Sequence, residues 1–492
     1  MVVLVTRGDA AATDTTASLV PADALLYAHL STSESRTQDS RLLAIAGRFS
    51  SPRFQLARLG TTFTPGAGGL DFARDVRPWL SDDAAIALLD GGGGRTEPLL
   101  VAAVRDRAPA EAMLSRLGAS AAGTHNGVAL RSLPPRATAA FAGDHLVVGP
   151  AGAVRGAIDR AAADDGGRAA ALADGQAFRR AAEERTAASS VDVFASSAGL
   201  RRLLDGRDGI AGFAGRLLTG PRLEGVSAQV SAEESGLRIG ARIMRTPGAP
   251  RPAGFTPSLT DRVPGDAAGF LALPGLDAAA ELLSRTGGGG ALLEDLRATV
   301  PQAAGLDLED VLAPLADEAM LAVTSGDVTP VFTLTARTRD EAATREAMAR
   351  LQGPLADRLA GGSVFEQRDV GGTAAFSLPV TPELEPSYAL ARGALVASSG
   401  RSGLGQLNPA RTPITGNAAL GEVLPEEGAK VEALGFFDSR QLLALGERTG
   451  LQAFSSPAVR DDLGRIRAAG AVVAEDAKNP TDTTVELFLE TP

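Results

Sequence analysis

The chain contains no cysteine. Disulfides, thiolate nucleophiles and cysteine-ligated metal sites are therefore excluded, although export is not, because a large core needs no covalent staples. Lysine is nearly absent: only Lys430 and Lys478 share the positive charge with arginine. Aromatic residues make up 4% of the chain, with one tryptophan and two tyrosines, so the cores must be built from Leu, Val and Ala. No segment approaches the ~18 consecutive apolar residues of a membrane span, and the positively charged start of a signal peptide is missing. No three like charges stand in a row, and stretches such as "FRRAAEER" interleave both signs. A nucleic-acid groove needs a concentrated basic stripe to displace phosphate counterions, so nucleic acid is not expected as a partner.

What is present describes a folded chain. Hydrophobic residues are 44% and charged residues 22% of 492, close to globular averages. The 57 glycines and 29 prolines stay below the roughly 25–30% that marks low-complexity sequence. This length holds two or three domains, each able to bury its own core. The net charge of −11 favours solubility.

The most informative pattern is a repetition. "SLVPADALLYAHLS", Ser18 to Ser31, is answered by "DRVPGDAAGFLALPG", Asp261 to Gly275, with Val20-Pro21 over Val263-Pro264 and Asp23-Ala24 over Asp266-Ala267. The block from Leu70 is answered from Leu306, "EPLLVAAVRDR" at Glu97 by "TPVFTLTARTR" at Thr329, "RSLPP" at Arg131 by "FSLPV" at Phe376, and "DVFASSAGLRRLL" at Asp192 by "GFFDSRQLLAL" at Gly435. Five collinear pairs, at offsets between 232 and 245 residues, argue for tandem duplication of a domain-sized unit rather than a solenoid.

Each copy opens with a Pro-x-Asp turn and a short apolar run that reads as a strand. Helical patterns follow ("RLLAIAGRF", "DAAAELLSR"), then two apolar runs joined by a glycine-bearing turn, a hairpin signal. A helix ("APAEAMLSRL", "DEAATREAMARL") and further strands complete the copy. The expected fold class is α+β: two tandem homologous repeats, each a largely antiparallel β-sheet with helices packed on one face. The expected domains are an N-terminal linker or anchor remnant at 1–17, a first repeat at 18–243, a Pro/Gly-rich linker at 244–262 and a second repeat at 263–492. Val2–Val5 read either as the tail of an anchor helix or as an ordinary terminus.

The Leu19-Val20-Pro21-Ala22-Asp23-Ala24 opening, Gly47-Arg48-Phe49 and the "DFARDVRPWLSDDAAIALLD" block around Trp79 resemble one bacterial family, frequent in actinobacteria and labelled domain of unknown function 3352. The resemblance spans about Ser18 to Thr491. It implies an N-terminal membrane helix or lipoprotein signal, with the repeated region outside the cytoplasm and possible membrane attachment through that anchor alone. The family carries no assigned activity, so it assigns no site residue.

Candidate chemistry is sparse. "GGGG" at Gly91–Gly94 lacks the Lys-Ser/Thr of a phosphate-binding loop and leads into a strand, so a hairpin turn is expected. The second run, Gly287–Gly290, breaks a helical pattern. "SGRSGLGQL" around Gly403 lacks the strand–turn–helix with a later acid that a dinucleotide site requires. His29, His125 and His145 sit in no metal or relay motif and are expected on the surface or on edge strands, with Ala394 standing at the His145 position in the second copy. The acids Asp82-Asp83, recurring as Asp317-Glu318, read as solvated strand entries whose neighbours point to opposite faces. An acid pair can divide acid and base roles or bind calcium, but this spacing suits neither. Arg7-Gly8-Asp9 is a chance tripeptide. Trp79, with Leu315 as counterpart, is expected in an apolar core slot, with an aromatic binding platform as the alternative.

No catalytic, cofactor or metal residue is therefore assigned, and no cofactor is expected. The expected function is a non-enzymatic cell-envelope protein that presents a surface to an unknown envelope protein or polymer. An apolar-ligand or lipid carrier and a hydrolase with an unrecognised site are the alternatives.

Overall fold

The computed structural model describes residues 14–31, 72–162, 170–186, 189–204, 222–248, 254–284, 307–315, 317–326, 329–381, 384–449 and 464–491, with isolated positions between 294 and 305. Val2–Val5, Arg7-Gly8-Asp9, the "RLLAIAGRF" pattern with Gly47-Arg48-Phe49, and Gly287–Gly290 lie outside these residues. The chain divides into two compact units, Met1–Pro247 and Gly248–Pro492.

In the first unit the strands are β1 (Leu26–Ser31), β2 (Leu80–Asp90), β3 (Thr96–Val104), β4 (Ser120–His125), β5 (Val128–Leu133), β6 (Ala137–Ala142), β7 (His145–Gly149), β8 (Val191–Ser196), β9 (Leu223–Ala232) and β10 (Gly236–Arg245). They form one antiparallel sheet in the order β10-β9-β8-β1-β2-β3-β7-β6-β5-β4. The described helices of this unit are α1 (Arg107–Arg116), α2 (Ala151–Ala162), α3 (Gln176–Glu183) and α4 (Ser197–Leu204). Local chemistry explains the punctuation. Gly92, Gly93 and Gly94 take φ of +73°, +56° and +87°, values that only glycine adopts without strain, and they close the β2–β3 hairpin as expected. Asp106 caps α1 by accepting a hydrogen bond from the Ala108 N–H.

The second unit contains β11 (Gly269–Leu273), β12 (Ala319–Thr324), β13 (Val331–Arg337), β14 (Glu366–Val370), β15 (Thr373–Ser377), β16 (Ser387–Ala391), β17 (Ala394–Ser398), β18 (Ala433–Asp438), β19 (Ala468–Glu475) and β20 (Thr483–Glu490). Their order is β20-β19-β18-β11-β12-β13-β17-β16-β15-β14, again antiparallel throughout. Its helices include α5 (Leu276–Ser284), α6 (Leu308–Leu312), the long α7 (Glu341–Ala360), α8 (Ala418–Gly421) and α9 (Ser439–Thr449). Asp340 caps α7, and Gly361 ends it at φ +58°.

The expectation of helices on one face is corrected. In the first unit one core joins Tyr27, Ala85, Ala87, Leu99, Val101 and Val147 to residues of α2 and α3. A second core joins Ala102, Phe141, Leu146 and Val148, from the opposite face of the same strands, to Ala110, Met113 and Leu114 of α1. The strand "EPLLVAAV" is apolar at consecutive positions because it is covered on both sides. Among the described residues no helix is long and apolar enough to cross a membrane, which says nothing of strands.

Candidate functional site

Alternation along β1 puts Tyr27, His29 and Ser31 on the face that carries the first of these cores. Directly across, His29 pairs with Asp192 of β8 and with Ala85 of β2, while Ser31 pairs with Asp83. One histidine therefore lies between two carboxylates on neighbouring strands, at the polar end of an apolar layer. His29 Nε2 is 2.8 Å from Asp83 Oδ1, and its Nδ1 is 3.5 Å from Asp192 Oδ2. The second contact is an ion-pair approach rather than a well-formed hydrogen bond, for Nδ1 has no hydrogen-bond partner.

The acids continue the network. Asp83 Oδ2 accepts hydrogen bonds from the Thr15 N–H and Oγ1, both at 2.6 Å. Asp14 Oδ1 accepts from the Tyr27 hydroxyl at 2.6 Å and from the Ala17 N–H at 3.1 Å. Arg185 donates to Asp14 Oδ2 at 2.8 Å and lies 3.7 Å from Asp192 Oδ2. Ser189 Oγ donates to Asp192 Oδ1 at 2.9 Å. Asp14 and Thr15 are thus tied into the first unit by residues far along the chain.

Charge explains the protonation states. Burial alone pushes the His29 imidazole down, but Asp192 and Asp83 overcome it and raise its pKa to about 9. Burial pushes the Asp83 carboxyl up, yet hydrogen bonds from His29 and Thr15 outweigh this and hold it below its ordinary value. The Tyr27 hydroxyl is raised well above 10 by burial and by Asp14. His145 is different: burial lowers its pKa. Its Nε2 lies 2.7 Å from Thr15 Oγ1. Because the Thr15 hydroxyl gives its proton to Asp83, His145 Nε2 carries the hydrogen and donates.

Two chemistries can be tested against this geometry. Asp14, His29 and Asp83 place ligand atoms within 4.8 Å of one another, as a metal would require. Arg185 and the His29 imidazolium already supply the cations, and Tyr27, Thr15 and Thr16 engage the carboxylates. The cluster does not fit a metal. A Ser-His-Asp relay needs a hydroxyl that donates to an imidazole held by an acid. Here Ser189 donates to the acid, and Thr15 donates to Asp83 while accepting from His145, so the order is reversed. What remains is a structural clasp. In the second unit Glu318 performs the same task, accepting from the Ser258 N–H and the Leu259 N–H at 3.0 and 3.1 Å.

Two expectations are overturned. His29 is fully buried on an interior strand, and His145 is half-buried on β7 between β3 and β6, so neither is a surface or edge histidine. The acids are not both solvated strand entries. Asp82 is exposed and Asp83 is buried within β2, and Glu318 is buried just before β12. Period-2 alternation separates Asp82 from Asp83 as expected, but Asp83 has partners that lie 54 and 68 residues away. His125 is half-buried at the end of the edge strand β4, 2.6 Å from Asp159, in keeping with the edge-strand expectation. Asp317 is exposed and pairs with Arg339. Trp79 is 3% exposed among Leu80, Met113 and Leu114, with Nε1 donating to the Asp75 carbonyl at 2.8 Å. Leu315 is buried in the second unit. Gly403 is a packing glycine, since an added Cβ would stand 2.0 Å from Ser398 Oγ and 2.2 Å from Thr333 Oγ1. Nothing in it cradles a phosphate.

The family model described as protein of unknown function DUF3352 matches residues 2–361, and the chain belongs to that family. No curated protein matches. Among solved structures, crystal forms III and I of TP0453 align at 11% and 10% identity with TM-scores of 0.29 and 0.30. They cover 48% and 49% of this chain and 81% and 82% of their own. A likeness at that level carries no inference about this chain.

Proposed function

We propose that this DUF3352 protein acts by binding rather than catalysis, as a cell-envelope module outside the cytoplasm that presents a surface to a protein or polymer partner. One observation carries this reading: the most enzyme-like cluster in the described residues is sealed. His29 is 0% exposed, and its neighbouring carboxylates are engaged by Thr15, Tyr27, Ser189 and Arg185. A substrate cannot reach the imidazole without opening the sheet, so the cluster works for stability. The envelope location rests on the family resemblance, which implies an N-terminal anchor.

Tandem duplication belongs to the same proposal. Both units run their ten described strands in the same order, and in each a hydroxyl residue before the opening turn is clasped by an acid in or next to the second strand, Thr15 by Asp83 within β2 and Ser258 by Glu318 just before β12. Domain bounds at 18–243 and 263–492 follow from that duplication.

An apolar-ligand carrier is a second reading with its own support. Leu271, Leu321 and Phe332 of β11, β12 and β13 share one face and are 38%, 44% and 47% exposed. Enhanced emission of a hydrophobic fluorescent probe that is abolished by Leu321→Asp would favour the carrier.

The test of the main reading has two arms. The natural full-length protein is expected in the envelope fraction of the cell, and a cytosolic location overturns that part. The purified protein is expected to show no ester or peptide hydrolysis above a buffer control. Hydrolysis that is lost in Thr15→Val, with the fold intact by Trp79 fluorescence, overturns the non-enzymatic reading.

A further inference from the structure

A second charged region lies within the second unit. A cavity of about 270 Å³ is lined by Ser258, Asp317, Glu318, Arg337, Arg339 and Lys430, among others. Arg339 is paired with Asp317, and the Glu318 carboxylate is occupied by Ser258 and Leu259. Arg337 donates its Nε to the Ser258 hydroxyl at 2.9 Å and meets no carboxylate among the described residues. Lys430 likewise has no acidic partner there.

Two more arginines join Arg337. Arg337 pairs with Ala394 across β13 and β17, and the Thr338 N–H donates to the Gly393 carbonyl, which brings the Arg392-Gly393 turn alongside. Arg262 ends the short turn that begins after Ser258, and a buried Nη1 of its guanidinium has no hydrogen-bond partner. Burial lowers the pKa of Arg262, and Arg337 and Arg392 lower it further against a smaller opposing pull from Glu318, so the three positive charges act on one another. Glu318, already engaged by Ser258 and Leu259, is one carboxylate against three guanidinium groups, so the excess of like charge is costly, and a buried orphan donor adds to that cost.

Arg392 adds an independent observation. It holds φ at +52°, a left-handed value that a side chain adopts with strain. In the β6–β7 hairpin of the first unit the same turn position is Gly143, at φ +58°. By strand register, Ala103 of the first unit stands where Arg337 stands in the second, paired to the first residue of the returning strand. A bulky cation stands where glycine would fit better, beside two other guanidinium groups that meet no carboxylate directly among the described residues.

We infer that Arg262, Arg337 and Arg392 form a binding site for a phosphate group, at the edge of the cavity that Arg337 lines together with Lys430. Guanidinium groups match the planar, bidentate geometry of oxyanions, and several of them together suit a dianion better than a single carboxylate. The bound anion would satisfy the orphan Arg262 donor and remove the mutual repulsion. The phosphate comes either as the free ion or as part of a polymer.

Calorimetric titration of the full chain with inorganic phosphate, against chloride at equal ionic strength, tests this. Saturable phosphate binding is expected. Arg392→Gly is the informative variant because it relieves the strained turn. Its melting temperature without phosphate should not fall, while its phosphate affinity should drop about tenfold, the loss of one charge-assisted contact. Arg337→Gln should weaken binding by a similar factor. Polyphosphate binding more tightly than inorganic phosphate at equal phosphate concentration marks a polymer as the source, and equal affinity marks the free ion; both support the site. No binding above the chloride control, or unchanged affinity in Arg392→Gly and Arg337→Gln, overturns it.

Discussion

Raising the pH should remove the proton that His29 holds between Asp83 and Asp192. The folded-state pKa, about 9, lies above the ordinary 6.5. The contribution to stability is therefore complete below pH 6.5 and is lost as the pH rises through 9. That displacement corresponds to about 3 kcal/mol, undiscounted for solvent because the imidazole is fully buried. Trp79 is the sole indole and belongs to the first unit, so its fluorescence follows the unfolding of that unit in a chain that need not unfold in one step. With a urea dependence of ~1–3 kcal/mol per molar, the midpoint should fall by roughly 1–3 M between pH 6.5 and 9.5. His29→Gln should be less stable at pH 6.5 and should lose most of the slope. The upper limit stays at 9.5 because Tyr27 ionises only well above 10. A midpoint that is flat over this range, or a slope that His29→Gln retains, would refute the reasoning.

Other perturbations have defined outcomes. Asp83→Asn should destabilise the first unit by about 3–5 kcal/mol, because it leaves an imidazolium buried beside one fewer carboxylate; urea melts at pH 6.5 read this. Trp79→Ala should cost about 3–5 kcal/mol by emptying an aromatic-sized space, and the native indole should emit at short wavelength and resist quenching. Gly403→Ala should lower the thermal midpoint of the second unit, since its Cβ would collide with Ser398 and Thr333.

Much of the fold was legible in local patterns. The Val-Pro-x-Asp openings, the Gly91–Gly94 hairpin and the helix behind Asp106 follow from turn and cap chemistry acting over a few residues. The double-sided helix cover was also written in the chain, since "EPLLVAAV" shows no alternation, but that signal was outweighed by hairpin connectivity. The His29 cluster was not legible. Tyr27, His29 and Ser31 share one parity along β1, and Asp83 shares parity with Ala85 and Ala87. The partners meet only because β1 pairs with β2 and β8, and Asp14 and Arg185 come from segments whose sequence gives no sign of contact. Long-range pairing, not residue type, makes a lone histidine into a buried cation. The arginines of the second unit were equally silent, because a scattered trio among many arginines forms no run.

The His29 cluster is a sealed, structural charge network. Nitrogen-15 NMR of the histidine side chains in the intact chain tests it most directly. At pH 7.5 a doubly protonated His29 ring is expected, titrating near 9, with N–H hydrogens that exchange slowly with water. A neutral ring that titrates near 6.5 and exchanges freely would contradict it and make His29 a solvent-accessible base.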